Sequence, residues 1–438
     1  MRDGCSAYGV NQDEAGNPRK SASVAVSDQK RSAALGGSVG AVSDAVTVVW
    51  DDEFLSYDWG VEHPMNPVRL ALTISLARRL GVLDRPGVTV VRPRPATEEL
   101  LTLVHDPAYL DVVRVAPTRP WGAGHGFESA DNPVFPHMYE ASALITGGSV
   151  LAAERVWSGR AQHAVNIAGG LHHAMRSRAS GFCVFNDPAV AIARLLELGA
   201  ERVAYVDVDV HHGDGVQAAF YADPRVLTVS LHQSPLTLFP GTGFPDELGR
   251  GDATGTSVNL ALPAGTTDEG WHRAFAAVVP SVLRAFRPQV LLTQAGCDTH
   301  HEDPLAELSL TVDGQRSSYG LLHDLAHELC GGKWVAFGGG GYGLVRCVPR
   351  AWTHLLAEAT GQRLEPGTPV PEEWVEEVRD RGLRTAPPRT MTELDPPAAD
   401  IAWSHWQPGD DGALARAVTA TRRAVFPLHG LDPDDPRD

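Results

Sequence analysis

The sequence predicts an α/β protein built on a single open, mostly parallel β-sheet flanked by helices on both faces. Three observations carry that prediction. Five short apolar segments, Ala164–Ile167, Val203–Asp209, Val226–Leu231, Val290–Gln294 and Val335–Phe337, have the composition of strands buried on both sides. Helical patterns over Pro188–Glu197, Asp268–Phe286 and Gln315–Cys330 separate most of them. Polar, glycine-containing stretches follow the strands. Open α/β sheets bind ligands at the carboxyl ends of their strands, so these stretches are expected to meet in one crevice.

Taken in order, residues 1–44 are rich in Ser, Ala, Gly and charged side chains, with too few large apolar groups to offset the cost of ordering, and are expected to form a disordered tail. Order is expected to begin with a strand over Val46–Trp50. A loop then carries His63 and two prolines, which stiffen the approach to Arg69, and leads into a helix over Leu70–Leu80. A second helix is expected over Asp106–Val115, then a long loop over Trp121–Phe135 that contains Asp131. Met138–Trp157 repeats small and apolar residues at helical spacing, and its Gly147-Gly148 pair suits close packing better than phosphate binding. Residues 45–360 form the expected main domain. Residues 361–438, Pro- and Asp-rich with helical stretches at Glu372–Arg381 and Leu414–Val425, form an expected C-terminal extension that wraps it.

Composition excludes several classes. A balance of 37 basic against 54 acidic residues gives a net charge of −17, which opposes nonspecific attraction to nucleic acid or an anionic membrane. The five cysteines contain no CxxC pair, so neither a disulfide framework nor a structural zinc knuckle is indicated. No apolar run reaches the roughly 20 residues that span a bilayer, and no apolar signal core opens the chain. The expected compartment is the cytoplasm.

The most heavily loaded stretch is Tyr205-Val-Asp-Val-Asp-Val-His-His-Gly-Asp-Gly-Val216. Strand alternation predicts Asp207, Asp209 and His211 on one side, with valines on the other. Two crowded carboxylates repel unless a cation or proton lies between them, and the imidazole completes an O, O, N set suited to a divalent metal. Solvated acids on a surface strand are the bland alternative, but the valines indicate burial, where unpaired carboxylates cost too much. Five further stretches follow the same logic. Gly169-Gly-Leu-His172-His173-Ala places a histidine pair after a strand, with Asp207 and Asp214 available as partners. Gly181 and Phe182 suggest an aromatic at a cleft wall; Phe239-Pro-Gly-Thr-Gly243 is a rigid turn carrying another. Asp298 emerges from an apolar strand as a third ligand, followed by His300 and His301, which are as readily solvent-facing bystanders. Four glycines before Tyr342 follow a strand, so they fit backbone entry into a site better than a linker.

Together, GGLHHA, GFCVFND, DVDVHHGDG, FPGTG, AGCD and GGGGY resemble the arginase/deacetylase fold and, within it, the histone deacetylase family, specifically its bacterial acetoin-utilisation branch. The resemblance covers roughly Val46–Thr360, with the motifs in family order and spacing. It implies that residues 45–360 are a deacetylase catalytic domain in which Asp209, His211 and Asp298 bind zinc, or ferrous iron. It further implies His173 as general base and acid, His172 as its electrostatic support, and Tyr342 as donor to the substrate carbonyl. Asp207 and Asp214 would orient the dyad. Asp207 and Ser230 would help hold a potassium ion. Phe182 and Phe239, with Gly181, would wall a lysine channel; Asp131 and Leu305 would stand at its rim, and Arg69 on an internal acetate-exit path. The implied partner is an acetylated protein or peptide, with acetyl-CoA synthetase as a candidate.

Two other enzymes stand nearest. A binuclear manganese ureohydrolase shares the fold, and Asp303-Pro304 is faintly similar to its pattern, but the double histidine, FPGTG and GGGGY belong to the deacetylase side. An acetylpolyamine amidohydrolase would place an acidic gatekeeper where Leu305 stands, although Glu307 lies near. A non-enzymatic binding module would need a damaged site, and every catalytic position is intact.

Overall fold

The computed structural model describes residues 44–119, 122–396 and 398–438. The expected tail therefore lies outside the described residues, apart from Asp44, whose backbone opens the first strand. Among the described residues, eight strands form one sheet: β1 (Asp44–Val49), β2 (Val88–Val91), β3 (Ala161–Asn166), β4 (Val203–Asp207), β5 (Val226–Gln233), β6 (Ser257–Leu262), β7 (Val290–Gln294) and β8 (Trp334–Phe337). Their order is β2-β1-β3-β8-β7-β4-β5-β6 and every pairing is parallel. Because no pair is antiparallel, each connection must cross back over the sheet, and α-helices fill most of those crossovers; the one from β5 to β6 is a long loop with a single 3-10 turn, Gly251–Ala253.

The helices are α1 (Val68–Arg79), α2 (Glu98–Leu101), α3 (Pro107–Val115), α4 (Met138–Trp157), α5 (Asp187–Glu197), α6 (Asp214–Phe220), α7 (Asp268–Phe286), α8 (Val312–Cys330), α9 (Val348–Ala359), α10 (Glu372–Asp380) and α11 (Ala413–Val425). They form two groups. In one, α4 packs on α5, β3 and β1; in the other, α1 meets α9, α9 meets α8, and α8 meets α7. Gly147 in α4 sits where an added Cβ would lie 1.8 Å from the Arg94 carbonyl oxygen, which accounts for the small residues at the middle of that helix. The strands β4, β5, β7 and β8 are buried along their whole length, as continuous apolar runs in a covered parallel sheet must be.

Three features differ from the sequence reading. β4 ends at Asp207, so Asp209 and His211 lie on a bend rather than on the alternating face of a strand. Their convergence comes from the turning chain, in which the Val208 amide still donates to Gln294 O at 3.0 Å while the Val210 amide turns to the Asp298 carboxylate at 2.9 Å. The edge strands β2 and β6 were not anticipated: β2 is only four residues long, and Ser257 and Asn259 interrupt the apolar run of β6. Helix α6 begins at Asp214, inside the loaded motif.

After residue 360 the chain packs on several elements of the main domain. Trp374 of α10 is fully buried and donates from Nε1 to Leu72 O of α1 at 2.9 Å. Helix α11 lies against the edge strand β6 and α7, where Thr421 Oγ1 donates to Asn259 O at 2.7 Å and Arg422 Nη1 to Ala277 O at 2.6 Å.

Candidate active site

The loops that follow β3, β4, β7 and β8 meet at the carboxyl end of the sheet, and the deepest groups there are Asp209, His211 and Asp298. His211 Nδ1 lies 3.1 Å from Asp209 Oδ1 and 3.1 Å from Asp298 Oδ2, and all three residues are buried. Burial and the neighbouring charge of Asp209 push the Asp298 carboxyl up to about 6. Burial opposes the charge on His211, yet its bonds to the two carboxylates raise it to about 10. Two carboxylates and one imidazole nitrogen within reach of a single point form a donor set that fits a divalent cation, which would replace the shared proton. The backbone closes tightly around them. At Gly340 an added Cβ would stand 2.0 Å from Asp298 Oδ2, and the Gly340 amide donates to Asp209 Oδ2 at 2.8 Å, so only glycine fits.

Beside this set lies the histidine pair. His172 Nδ1 pairs with Asp207 Oδ2 at 2.7 Å, His173 Nδ1 pairs with Asp214 Oδ1 at 2.7 Å, and the two Nε2 atoms are 3.0 Å apart. An imidazole that donates from Nδ1 to a carboxylate leaves Nε2 to work toward the cleft. Burial lowers both, but for His172 the charges of Asp207 and Asp209 prevail and raise it to about 9. For His173, burial and the adjacent His172 hold it down to about 4. The pair is thereby polarised: His172 holds a proton, and His173 presents a lone pair.

Tyr342 faces the same space. Burial keeps its phenol well above its ordinary titration range, so it remains a donor. The Tyr342 amide donates to Asp303 Oδ2 at 2.8 Å, and Arg69, buried behind the loop, donates from Nη1 to Gly339 O at 2.8 Å and Gly341 O at 3.0 Å. A glycine run that would otherwise be flexible is thus tied at three backbone positions.

A cleft of about 180 Å³ leads to these groups, lined by Asp131, His173, Gly181, Phe182, His211, Leu238, Phe239, Leu305 and Tyr342. That volume suits one extended side chain rather than a drug-sized ligand. Phe182 adopts a left-handed φ of 67°, held by its amide to Asn132 Oδ1 at 2.9 Å and by Tyr57 OH to its carbonyl at 2.7 Å. Such a conformation costs on the order of 1–3 kcal/mol, and here it aims the ring at Tyr342, edge to face at 5.7 Å. Preceding Gly181 is left-handed as well, and a Cβ there would meet the His173 ring at 2.4 Å.

Of the residues singled out from sequence, the cleft gathers Asp131, His173, Gly181, Phe182, His211, Phe239, Leu305 and Tyr342. Asp209, Asp298, His172, Asp207 and Asp214 lie directly behind that lining. Ser230 faces away from it: it pairs in register with Asp207 across β4 and β5, and its hydroxyl lies 2.9 Å from His232 Nδ1. Arg69 is beneath the glycine loop. His300 is fully buried against Glu393 at 3.1 Å, whereas His301 is exposed. Several supporting groups escaped the sequence reading. Tyr205 OH donates to Asp207 Oδ2 at 2.7 Å, Gln294 Nε2 to Asp209 Oδ2 at 2.7 Å, and Asp187 accepts the Gly170 and Leu171 amides at 3.0 and 2.8 Å. Leu238 joins the wall. Asp187 and Tyr205 stand inside stretches already singled out, but nothing in those stretches marks them as supports; Gln294 and Leu238 reach the site through the fold.

Fold and site together define an α/β enzyme of parallel-sheet architecture, with a donor set that fits a divalent metal and a carboxylate-anchored histidine pair at the strand ends. The histone deacetylase domain family matches residues 63–359, and the chain belongs to that family and is a deacetylase. It is similar to the acetoin utilization protein AcuC of Bacillus subtilis (strain 168), 43% identical over 332 residues that cover 75% of this chain and 84% of the relative. The proteins of the same name from Staphylococcus aureus (strain MRSA252) and Staphylococcus xylosus are 35% and 34% identical, over 79% and 77% of this chain and 90% and 88% of theirs. Among the described residues, no helix is long and apolar enough to cross a membrane.

Proposed function

We propose that the chain hydrolyses the side-chain amide of acetyl-lysine in a protein or peptide, releasing lysine and acetate, with zinc held by Asp209, His211 and Asp298. The observation that carries the reading is the polarised His172–His173 pair beside that donor set, at the base of a cleft wide enough for one side chain. When bound, the metal supplies Lewis acidity to the amide carbonyl and lowers the pKa of a water. The remaining work belongs to the chain. His173 Nε2, neutral and facing the cleft, takes the proton of the attacking water and returns it to the departing amine. His172, charged and fixed by Asp207, stabilises negative charge developing nearby. Tyr342 OH donates to the carbonyl oxygen as it becomes an oxyanion. Phe182 and Phe239 flank the lysine methylenes and exclude water, and the exposed Asp131 carboxylate offers acceptors to substrate backbone amides at the rim.

Residues 45–360 carry this chemistry, with 361–438 as an extension fastened around them. A potassium ion at Asp207 and Ser230 would balance the acidic cluster. Leu305 at the rim favours acetyl-lysine over an acetylated polyamine, because Glu307 is not among the cleft residues and its amide and carboxylate engage Gln233. The relatives' name directs attention to acetoin metabolism, where an acetylated acetyl-CoA synthetase is the candidate substrate. Parallel assays on acetyl-lysine peptides and acetylated polyamines test the reading: faster acetate release from the peptides supports it, and a preference for polyamines rejects it.

A further inference from the structure

At the opposite end of the sheet, three histidines that take no part in the cleft point one nitrogen each at a common centre. His163 lies near the start of β3, and His323 and His327 lie one turn apart on α8. Their Nε2 atoms form a nearly equilateral triangle: 3.2 Å between His163 and His323, 3.2 Å between His163 and His327, and 3.1 Å between His323 and His327. His163 and His323 are buried, while His327 is exposed and open to solvent.

Hydrogen bonding cannot satisfy that triangle. An imidazole nitrogen is either a donor, when protonated, or an acceptor through its single in-plane lone pair, and never both. Two of three mutual contacts can pair a donor with an acceptor, but an odd ring leaves the third with two protons or two lone pairs opposed. A cation at the centre removes the conflict, because all three nitrogens then present lone pairs. Geometry agrees: tetrahedral coordination with bonds of about 2.0–2.1 Å separates ligand nitrogens by about 3.3–3.4 Å. The surroundings are also those of a ligand set. His323 Nδ1 lies 3.2 Å from Glu358 Oε1, and Glu358 is itself held by Arg363 Nε at 2.8 Å, so Nδ1 carries the proton and Nε2 is free to coordinate. Trp334 stacks on His323 at 5.3 Å and meets His163 edge-on at 5.9 Å, which fixes both rings.

We infer that His163, His323 and His327 form a second metal site, for zinc or a similar divalent transition ion, with its fourth position open to water on the His327 side. Three imidazoles without a carboxylate ligand suit zinc, nickel or copper and disfavour magnesium, calcium or manganese. The ion would tie the end of α8 to the first residues of β3 and, through Glu358, to α9, at the end of the sheet remote from the acyl-lysine cleft.

The test uses the full chain and its His327→Ala variant, chosen because the exposed histidine can be removed without opening the core. Both are equilibrated with excess zinc, desalted and assayed for zinc per chain, for the thermal midpoint with and without zinc, and for acetyl-lysine turnover. The expected result is one equivalent fewer in the variant, a smaller zinc-induced rise in midpoint, and turnover within about twofold of the parent. His327→Cys, which keeps a ligand, should restore the lost equivalent. Equal zinc content and an equal zinc response in parent and His327→Ala would overturn the site, whatever the activity of either.

Discussion

The two ends of β3 hold histidines in opposite circumstances. At the carboxyl end, His172 and His173 each have a private carboxylate, Asp207 and Asp214, and the pair is polarised into one charged and one neutral ring. At the amino end, His323 Nδ1 faces Glu358, and the Nε2 atoms of His163, His323 and His327 face one another. The contrast lies in how many inner nitrogens meet. Two that meet as a pair can share one proton, whereas three that converge cannot all be paired by hydrogen bonds and suit a ligand set.

Substitutions should separate the two ends. Tyr342→Phe removes one oxyanion donor and should lower turnover by about 10²–10³-fold in a steady-state assay, with zinc per chain unchanged. Gly340→Ala should drive a methyl group into Asp298 and displace the donor set by enough to cost roughly 10²-fold in turnover, again without touching the histidine triangle. Glu358→Gln acts only at the other end: it should weaken zinc binding there by about 10–100-fold in a competitive chelator titration, with little change in turnover.

Glu393 belongs to neither end and sharpens the comparison as a purely structural anion. It accepts from His300 and Arg350 and from the Val312 amide at 3.1 Å, linking the chain after residue 360 to α8 and α9. Burial raises its carboxyl, but those partners outweigh it and hold Glu393 down to about 2. A depressed folded-state pKa adds stability that is fully present above about 4.5 and disappears as the pH falls toward 2. Glu393→Gln should therefore lose about 3–5 kcal/mol in denaturant unfolding at neutral pH, and the gap from the parent should close in acid, with no change in metal content.

The cleft end was largely legible in the sequence because its residues sit in short motifs directly after apolar strands, as Asp298 does after β7 and Tyr342 after β8. Alternation misplaced the geometry of Asp209 and His211, since β4 stops at Asp207 and the chain bends. Tyr205 and Gln294 were illegible for a different reason. Each lies in an apolar run whose composition gives no sign of a polar task; Tyr205 stands two residues before Asp207 on the same face of β4, and the pairing of β7 with β4 brings Gln294 to Asp209. The histidine triangle was hidden more thoroughly. His323 and His327 are spaced for one helical face, but their partner His163 stands 160 residues from His323 and reaches it only through the pairing of β3 with β8.

The most direct measurement is acetate released from an acetyl-lysine peptide by zinc-loaded enzyme, comparing the parent chain with Asp298→Asn. The account predicts acetate and deacetylated peptide in equal amounts from the parent, and at least about 10²-fold slower release from the variant, which lacks one charged ligand. Equal release by both chains would contradict it.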